Sequence, residues 1–345
     1  NRRRFLRQMP KGDELDLNMK QALMLFPMIV FLFACGQKEK LEEVNYRLKW
    51  LYNVSTVGDL YAEAQGYFAR NGLKVNVKPG GPERDALKEL ELGHAQFGVA
   101  SADQVLRAVA KGAPIVVLAQ LFQANPLNWI YRPDRTPFTA PEDWKGRTIG
   151  VTFGGNDETI MRALMARHRI AEAEVDLFSV RYDYTPFYEG RVAFWPLYLN
   201  AQAVIIGDKL ALAGERFDFI SPDRLGVKFV ANSVVTTRQM AANHPDTVKR
   251  FLTALLQGWR DALDPQNEEQ AVRGLTQMDR ETPETIVRRQ LAVTRELMLP
   301  AAGGAIGKID VDGWKQTAAI MADQQLIPAG LPVEAILMTG PGSTP

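Results

Sequence analysis

From residue 46 onward, the chain alternates between short apolar runs and longer amphipathic stretches. The runs at residues 46–51, 73–77, 97–99 and 115–122 have the length and composition of β-strands, and the stretches between them carry apolar residues at helical spacing. Strands that alternate with helices build layered folds around largely parallel sheets. The pattern therefore predicts an α/β fold.

Pro133, Pro137 and Pro141 interrupt this alternation with a polar segment. The pattern then resumes with predicted strands and a helix at residues 147–151, 157–168, 176–181 and 192–195. Clustered prolines followed by a fresh start of the pattern are typical of a domain boundary. Beyond this second unit, Pro245 begins a predicted helix with one apolar face.

A separate apolar run at residues 22–33 follows Met19-Lys20 and leads to the single cysteine, Cys35. The run is too short to cross a hydrocarbon core of about 30 Å as a helix, but it has the length of the apolar region of a signal peptide. Its Leu-x-Ala-Cys ending resembles the bacterial lipobox, in which the cysteine is acylated and becomes the new N-terminus. We expect residues 1–34 to be an upstream segment and lipoprotein signal peptide, with Cys35 the lipid anchor. A buried structural cysteine is the alternative.

Charge and motifs exclude several classes of function. The chain has 41 Lys and Arg against 40 Asp and Glu, with the signs interspersed, so no nucleic-acid partner is expected. The sequence shows no Gly-x-Ser-x-Gly elbow, no P-loop and no dinucleotide fingerprint. His94, His168 and His244 lack metal-ligand spacing. We therefore expect neither a catalytic site nor a metal or cofactor.

Four stretches of the chain together resemble a known family. They are residues 62–73, 92–99, 144–151 and 244–252, and they are similar to the substrate-binding proteins of ABC importers for thiamine pyrimidine precursors, riboflavin, alkanesulfonates and nitrate. The resemblance runs from about Trp50 to Gln324.

The resemblance implies a two-lobed periplasmic-binding-protein fold (type II) with two hinge crossovers. Residues 44–133 plus 224–345 would form lobe 1 and residues 134–223 lobe 2, with hinges near residues 132–136 and 221–226. It also implies a small-molecule ligand captured by hinge closure, ABC permease and ATPase subunits as partners, and a place in the cell envelope, either the periplasm or the outer face of the cytoplasmic membrane.

In such sheets, ligands lie in the crevice at the carboxyl ends of the strands. The loops there contain aromatic, amide, hydroxyl and glycine residues, which suit a planar heterocycle because rings stack on it, amides pair with its edges and glycines allow close approach. The candidate ligand-binding residues, several of them suggested by the resemblance, are Trp50, Tyr52, Asn53, Ser101, Gln104, Gln123, Asn125, Trp129, Gly154, Gly155, Asn156, Glu158, Trp195, Tyr198 and Asn200.

Some of these candidates have simpler interpretations. Trp50 and Tyr52 are equally consistent with core packing, Ser101 with a helix cap, and Glu158 with a first-turn acid that complements the helix dipole. The chain also departs from the family's glycine-x-valine-aspartate pattern at Ala193, which leaves the ligand subtype open.

The leading ligand is a thiamine pyrimidine precursor or a riboflavin-like ring. An alkanesulfonate or nitrate-type anion is the alternative, because Arg132 and Arg181 lie near the candidate loops. A pyrimidine synthase-like enzyme is a further alternative, although the chain lacks that enzyme's cysteine-rich motif. A tethered sensor or chaperone without transport remains a third class.

Overall fold

The computed structural model describes residues 41–81, 83–181, 183–299 and 305–339. The predicted signal peptide and Cys35 lie outside these residues. Ten strands occur within them: β1 (Glu42–Arg47), β2 (Leu73–Lys78), β3 (Phe97–Ala100), β4 (Ile115–Gln120), β5 (Leu127–Tyr131), β6 (Thr148–Val151), β7 (Asp176–Ser179), β8 (Trp195–Tyr198), β9 (Asp218–Ile220) and β10 (Ser233–Thr237).

The described residues also form twelve α-helices. These are α1 (Val57–Ala64), α2 (Tyr67–Arg70), α3 (Ala86–Glu91), α4 (Ala102–Ala110), α5 (Asn156–Arg167), α6 (Thr185–Tyr188), α7 (Gln202–Leu212), α8 (Arg238–Asn243), α9 (Pro245–Ala262), α10 (Glu268–Met278), α11 (Glu284–Met298) and α12 (Val311–Asp323). The α/β pattern predicted from the sequence is confirmed.

The strands of the described residues form three sheets. The largest has the order β2-β1-β3-β10-β4, in which β1 pairs in parallel with β2 and β3, and β10 runs antiparallel to β3 and β4. A second sheet, β8-β5-β9, is antiparallel, and β6 pairs in parallel with β7. The parallel strands bring several strand ends and helix starts to the same edges.

Helix α9 closes the core on one face of the large sheet. As its predicted apolar face requires, Val248, Phe251 and Trp259 are buried, and the Phe251 ring stacks on Phe97 with the centroids 3.7 Å apart. At Gly58 in α1, an added Cβ would lie 2.1 Å from the Trp259 ring. Only a glycine therefore allows α1 and α9 to approach this closely.

Strand β1 lies earlier in the chain than the predicted strand at residues 46–51, which was wrong in position. Its first half is polar, and these polar residues pair across the sheet: Lys74 bonds Glu43, while the Asn76 amide donates to Asn45 at 3.1 Å. Such side chains hide an exposed strand face from hydrophobic periodicity. As a consequence, residues 49–53 form the loop that leaves the strand end.

Strand β5 was not predicted, and its pairing bears on the predicted hinges. It lies in the range assigned to lobe 1, yet it pairs with β8 and β9. Residues 121–126 and 221–232 therefore connect the sheets, and they run side by side. The amide of Asn125 donates to the carbonyl of Phe229 at 2.6 Å, and the Leu121 amide donates to the Asn232 carbonyl at 3.0 Å.

Candidate functional site

Polar side chains from four strand ends come together between the large sheet and the β6 and β8 strands. Lys49 follows β1, Asp103 lies in the first turn of α4 after β3, and Asp157 begins α5 after β6. Tyr198 ends β8, and the charges of both Asp103 and Asp157 act on its hydroxyl. We call Lys49, Asp103, Asn156, Asp157 and Tyr198 the strand-end cluster.

Tyr198 links the two sides of this cluster. Burial raises the pKa of Tyr198 to about 12, an effect that hydrogen bonding by Asn156 opposes and the charges of Asp157 and Asp103 reinforce. The phenol is therefore protonated at physiological pH. Its O–H group is available to donate to an acceptor in the cleft.

The loop after β1 divides the three candidates that it contains. Trp50 is 41% exposed. Tyr52 packs against the core and donates its hydroxyl to the Val77 carbonyl at 3.1 Å. Asn53 caps the short 3-10 helix Val54–Thr56, where its Oδ1 accepts the Ser55 amide at 2.8 Å. Of these three residues, Trp50 alone has a largely exposed side chain, and the side chain of Asn53 is hydrogen-bonded to the backbone.

Ser101 and Gln104 form the N-terminal cap of α4, as their spacing predicted. The Gln104 Oε1 accepts the Ser101 backbone amide at 3.1 Å, and the Ser101 hydroxyl donates to Asp103 Oδ1 at 2.5 Å. Ser101 is buried. The cap accounts for the Ser101 hydroxyl and the Gln104 Oε1, so the simpler interpretation of Ser101 describes its contacts.

The glycine turn after β6 is held by the acids of α5. Gly154 adopts a φ of 81° and donates its amide to Glu158 Oε2 at 2.7 Å. The other oxygen of Glu158 accepts the Arg162 Nε at 2.9 Å. Asp157 Oδ2 accepts the Thr152 amide at 2.7 Å, and burial raises the pKa of Asp157 above its ordinary value. The carboxylates thus shape the turn, while the side chain of Asn156 reaches Tyr198.

Two predicted aromatic residues lie in the core instead. Trp129 is completely buried and donates its indole N–H to the Gly150 carbonyl at 3.0 Å. Trp195 is 1% exposed and packs against Phe187 and Tyr184. Because both are enclosed by protein, the structure gives them packing roles and places neither in the cleft.

Three predicted amides bridge parts of the chain. Gln123 donates to the carbonyls of Gln120 and Lys308, and Asn125 joins the two connecting segments as described above. Asn200, which is 0% exposed, donates its amide to Ser55 Oγ at 3.0 Å and to Thr294 Oγ1 at 3.1 Å. Its Oδ1 has no hydrogen-bond partner among the described residues.

Two residues at this edge were missed by the sequence analysis. Phe153, in the loop after β6, is 51% exposed. Trp50 is likewise exposed, in the loop after β1. Lys49 is half-buried beside Asp103. Position in the sequence was the available signal for both residues, since Lys49 directly precedes the candidate Trp50 and Phe153 directly precedes the candidate Gly154.

Arg132 and Arg181, the basic residues that the sequence places near the candidate loops, have different surroundings. The Arg132 guanidinium donates to the carbonyls of Phe187 and Tyr188 and pairs with Glu215 at 2.9 Å. Arg181 is exposed. Arg132 is therefore fully engaged in holding its own loops.

No group of three or more His, Cys, Asp or Glu residues in the described part of the chain is arranged to hold a metal ion. In the same residues, no helix combines the length and apolarity needed to span a membrane. A groove of about 570 Å³ lies away from the strand ends, between α12 and residues 327–335, and its lining is mostly aliphatic.

A family model described as "NMT1/THI5 like" matches residues 53–269, which is more than half of the chain. The chain belongs to the NMT1/THI5-like family. This confirms the resemblance found in the sequence.

Three relatives of this family member cover most of its length. A Haemophilus influenzae protein named for thiamine biosynthesis is 24% identical over 324 residues, covering 91% of this chain and 97% of that protein. The riboflavin-binding protein RibY of Chloroflexus aurantiacus is 25% identical, and the alignment covers 67% of this chain and 65% of that protein. The formylaminopyrimidine-binding protein of Halalkalibacterium halodurans is 22% identical and covers 84% and 88%.

Solved structures identify the fold. The periplasmic aliphatic sulphonate binding protein SsuA from Escherichia coli superposes with a TM-score of 0.67 at 15% identity, covering 88% of this chain and 93% of that one. The desulfurization enzyme DSZB superposes with a TM-score of 0.55 at 12% identity, covering 86% and 96%. The predicted two-lobed periplasmic-binding-protein fold is confirmed for this family member.

Proposed function

We propose that this protein is the substrate-binding component of an ABC importer and that it captures a small aromatic heterocycle between two lobes. Thiamine pyrimidine precursors and riboflavin-like rings are the leading ligands. Two of the relatives support this proposal, because their names assign them the binding of riboflavin and of formylaminopyrimidine. Permease and ATPase subunits would then be its partners.

The observation that carries the proposal is the presence of exposed aromatic groups and polar groups in the loops that leave the strand ends. Trp50 and Phe153 are exposed on loops from different sheets, where large aromatic side chains are otherwise expected to be buried. Tyr198 and Asn156, at the end of β8 and the start of α5, add a hydrogen-bonded pair of polar groups. Stacking between aromatic faces, with polar groups at the ring edge, is the recognition that a planar heterocycle requires.

Closure of the lobes is the proposed mechanism. We place the crossovers at residues 121–126 and 221–232, rather than near residues 132–136, because β5 pairs with β8 and β9. Ligand contacts that both lobes make only when closed shift the equilibrium toward the closed form. A permease that recognises the closed form would then receive only loaded protein.

We also propose that Cys35 anchors the protein to the membrane through lipid. The proposal depends on the apolar run and the Leu-x-Ala-Cys ending. A Cys35→Ser variant, expressed in bacteria, is expected to appear in the soluble envelope fraction with its ligand binding intact. Retention of this variant in the membrane fraction would contradict the anchor.

Binding without turnover is the proposed activity. Two relatives are named as binding proteins, whereas a third is named for thiamine biosynthesis and one enzyme shares the fold. Mass spectrometry of the ligand released after prolonged incubation distinguishes the two activities. Recovery of unchanged ligand supports binding, and stoichiometric conversion to another compound would establish an enzyme.

A thermal-shift panel of pyrimidines, flavins and alkanesulfonates tests the choice of ligand. A ligand at 100 times its Kd stabilises the folded protein by about 2.7 kcal/mol, which a melting curve resolves readily. Stabilisation by a pyrimidine or flavin supports the proposal. Stabilisation by sulfonates alone would replace it with the anion-binding alternative.

A further inference from the structure

Lys49 occupies a specific place at the edge of the large sheet. It lies two residues beyond β1, and the parallel register that pairs Arg47 with Gly98 brings the residues after β1 beside those after β3. The start of α4, with Ser101 and Asp103, is therefore its neighbour. Lys49 is thus held at the strand ends rather than free on the outer surface.

The ammonium group of Lys49 is half-buried and unpaired. Within residues 41–81, 83–181, 183–299 and 305–339, it has no hydrogen-bond or ion-pair partner. Burial lowers the pKa of Lys49, and the charge of Asp103 opposes this effect only in part. The carboxylate of Asp103 already accepts the Ser101 hydroxyl at 2.5 Å. A partly dehydrated cation without a partner is costly unless another group compensates it.

Two groups near Asp103, the neighbour of Lys49, favour an acceptor. The Tyr198 hydroxyl is protonated and lies within electrostatic reach of Asp103, and Asp103 itself stands in the first turn of the nine-residue helix α4. The hydroxyl and the helix N-terminus both favour negative charge or acceptor atoms in the cleft. The charged groups that oppose this are Asp103 and Asp157, whose oxygens accept bonds from Ser101 and Thr152.

We infer that Lys49 binds an anionic group of the ligand, and that the ligand is a planar ring carrying one acidic substituent. The expectation of a ring rests on the proposed function, whereas the expectation of an acidic substituent rests on the surroundings of Lys49. A charge-assisted hydrogen bond in a partly desolvated cleft is stronger than a neutral one. Lys49 would therefore distinguish an acidic ring from its neutral analogue of the same size.

The test compares two probes that differ by one carboxylate, uracil and its 6-carboxylate orotate, with benzoate and hexanesulfonate as further anions. Dissociation constants are measured by titration calorimetry for the wild-type protein, Lys49→Met and Lys49→Arg. Lys111→Met is the matched control, because Lys111 is exposed at the opposite end of α4. Melting curves of all four proteins establish that the variants fold.

The expected result is that the wild type prefers orotate over uracil by about 10-fold or more, that Lys49→Met loses this preference, and that Lys49→Arg and Lys111→Met retain it. Equal binding of the two probes, or an equal loss for both in Lys49→Met, would overturn the role of Lys49 and leave the proposed function standing. Binding of hexanesulfonate alone, dependent on Lys49, would overturn the ring and keep the anion contact. Failure of every anion to bind would overturn the inference.

Discussion

A buried carboxylate in the core of the large sheet is expected to make stability depend on pH. Asp59 in α1 is 1% exposed, and its Oδ1 accepts the Tyr46 hydroxyl at 2.6 Å and the Trp259 indole N–H at 3.3 Å. Burial raises the pKa of Asp59 to about 7, although both hydrogen bonds act to lower it. The perturbation is Asp59→Asn, which removes the charge and keeps an oxygen for both donors.

The size of the effect follows from the two protonation states. The pKa of Asp59 is about 7 in the folded protein against an ordinary 3.8, and each pKa unit corresponds to about 1.4 kcal/mol. The folded protein binds the proton more tightly, so the contribution of Asp59 is fully present below pH 3.8 and is lost as the pH rises from there to about 7. By pH 8 the loss amounts to about 4 kcal/mol relative to low pH, or about 6 °C in Tm for a chain of this size.

The assay is urea unfolding of the wild type and Asp59→Asn between pH 5 and pH 8. The difference in free energy of unfolding between the two proteins is expected to shift in favour of the variant by about 2.5 kcal/mol from pH 5 to pH 8, because part of the total loss occurs below pH 5. Asp246→Asn is the control, because Asp246 lies exposed in the first turn of α9. A difference between the wild type and Asp59→Asn that is the same at pH 5 and pH 8 would refute the reasoning.

Three further predictions concern the cleft. Trp50→Ala and Phe153→Ala should each weaken binding of a ring ligand by about 2- to 10-fold without lowering the Tm of the unliganded protein, and an unchanged affinity by calorimetry would exclude stacking. Because the pKa of Lys49 is lowered from its ordinary value, the affinity for benzoate, which does not itself titrate above neutral pH, should decline as the pH rises above 7 in the wild type and stay constant in Lys49→Arg. Thr294→Val should lower the free energy of unfolding by about 1–3 kcal/mol and increase the radius of gyration measured by X-ray scattering, since Thr294 holds Asn200; an unchanged radius would show that this bond does not restrain the lobes.

The fold was largely predictable because its elements obey strong local rules. The apolar face of the helix that begins at Pro245 predicted the burial of Phe251 and Trp259, and the spacing of Ser101 and Gln104 predicted a helix cap. What failed was a strand with a polar face. In β1, Asn45 and its partners satisfy one another across strands, so periodicity alone placed the strand too late.

The sequence predicts a site in the strand-end loops, but it does not predict which side chains there are covered. The sequence identified the strand-end loops, yet residue type does not reveal which face of a strand is covered. Trp129 and Trp195 lie on paired strands whose two faces are both packed, so neither aromatic residue reaches the cleft. Phe153 and Lys49 remain accessible because they stand beyond the ends of β6 and β1, a fact that only the strand boundaries reveal.

Contacts between the proposed lobes limit how much the ligand must contribute to closure. The amide of Asn200 reaches Ser55 and Thr294, and on another side the Gln324 amide donates to the Thr159 carbonyl at 2.8 Å. In the proposed closure these bonds connect the lobes independently of the ligand, so they narrow the free-energy gap between the open and closed forms. The free energy that these bonds contribute must remain smaller than that gap, because a protein that stays closed would exclude its ligand. The remaining free energy must come from groups left unpaired at the strand ends, and Lys49 is such a group.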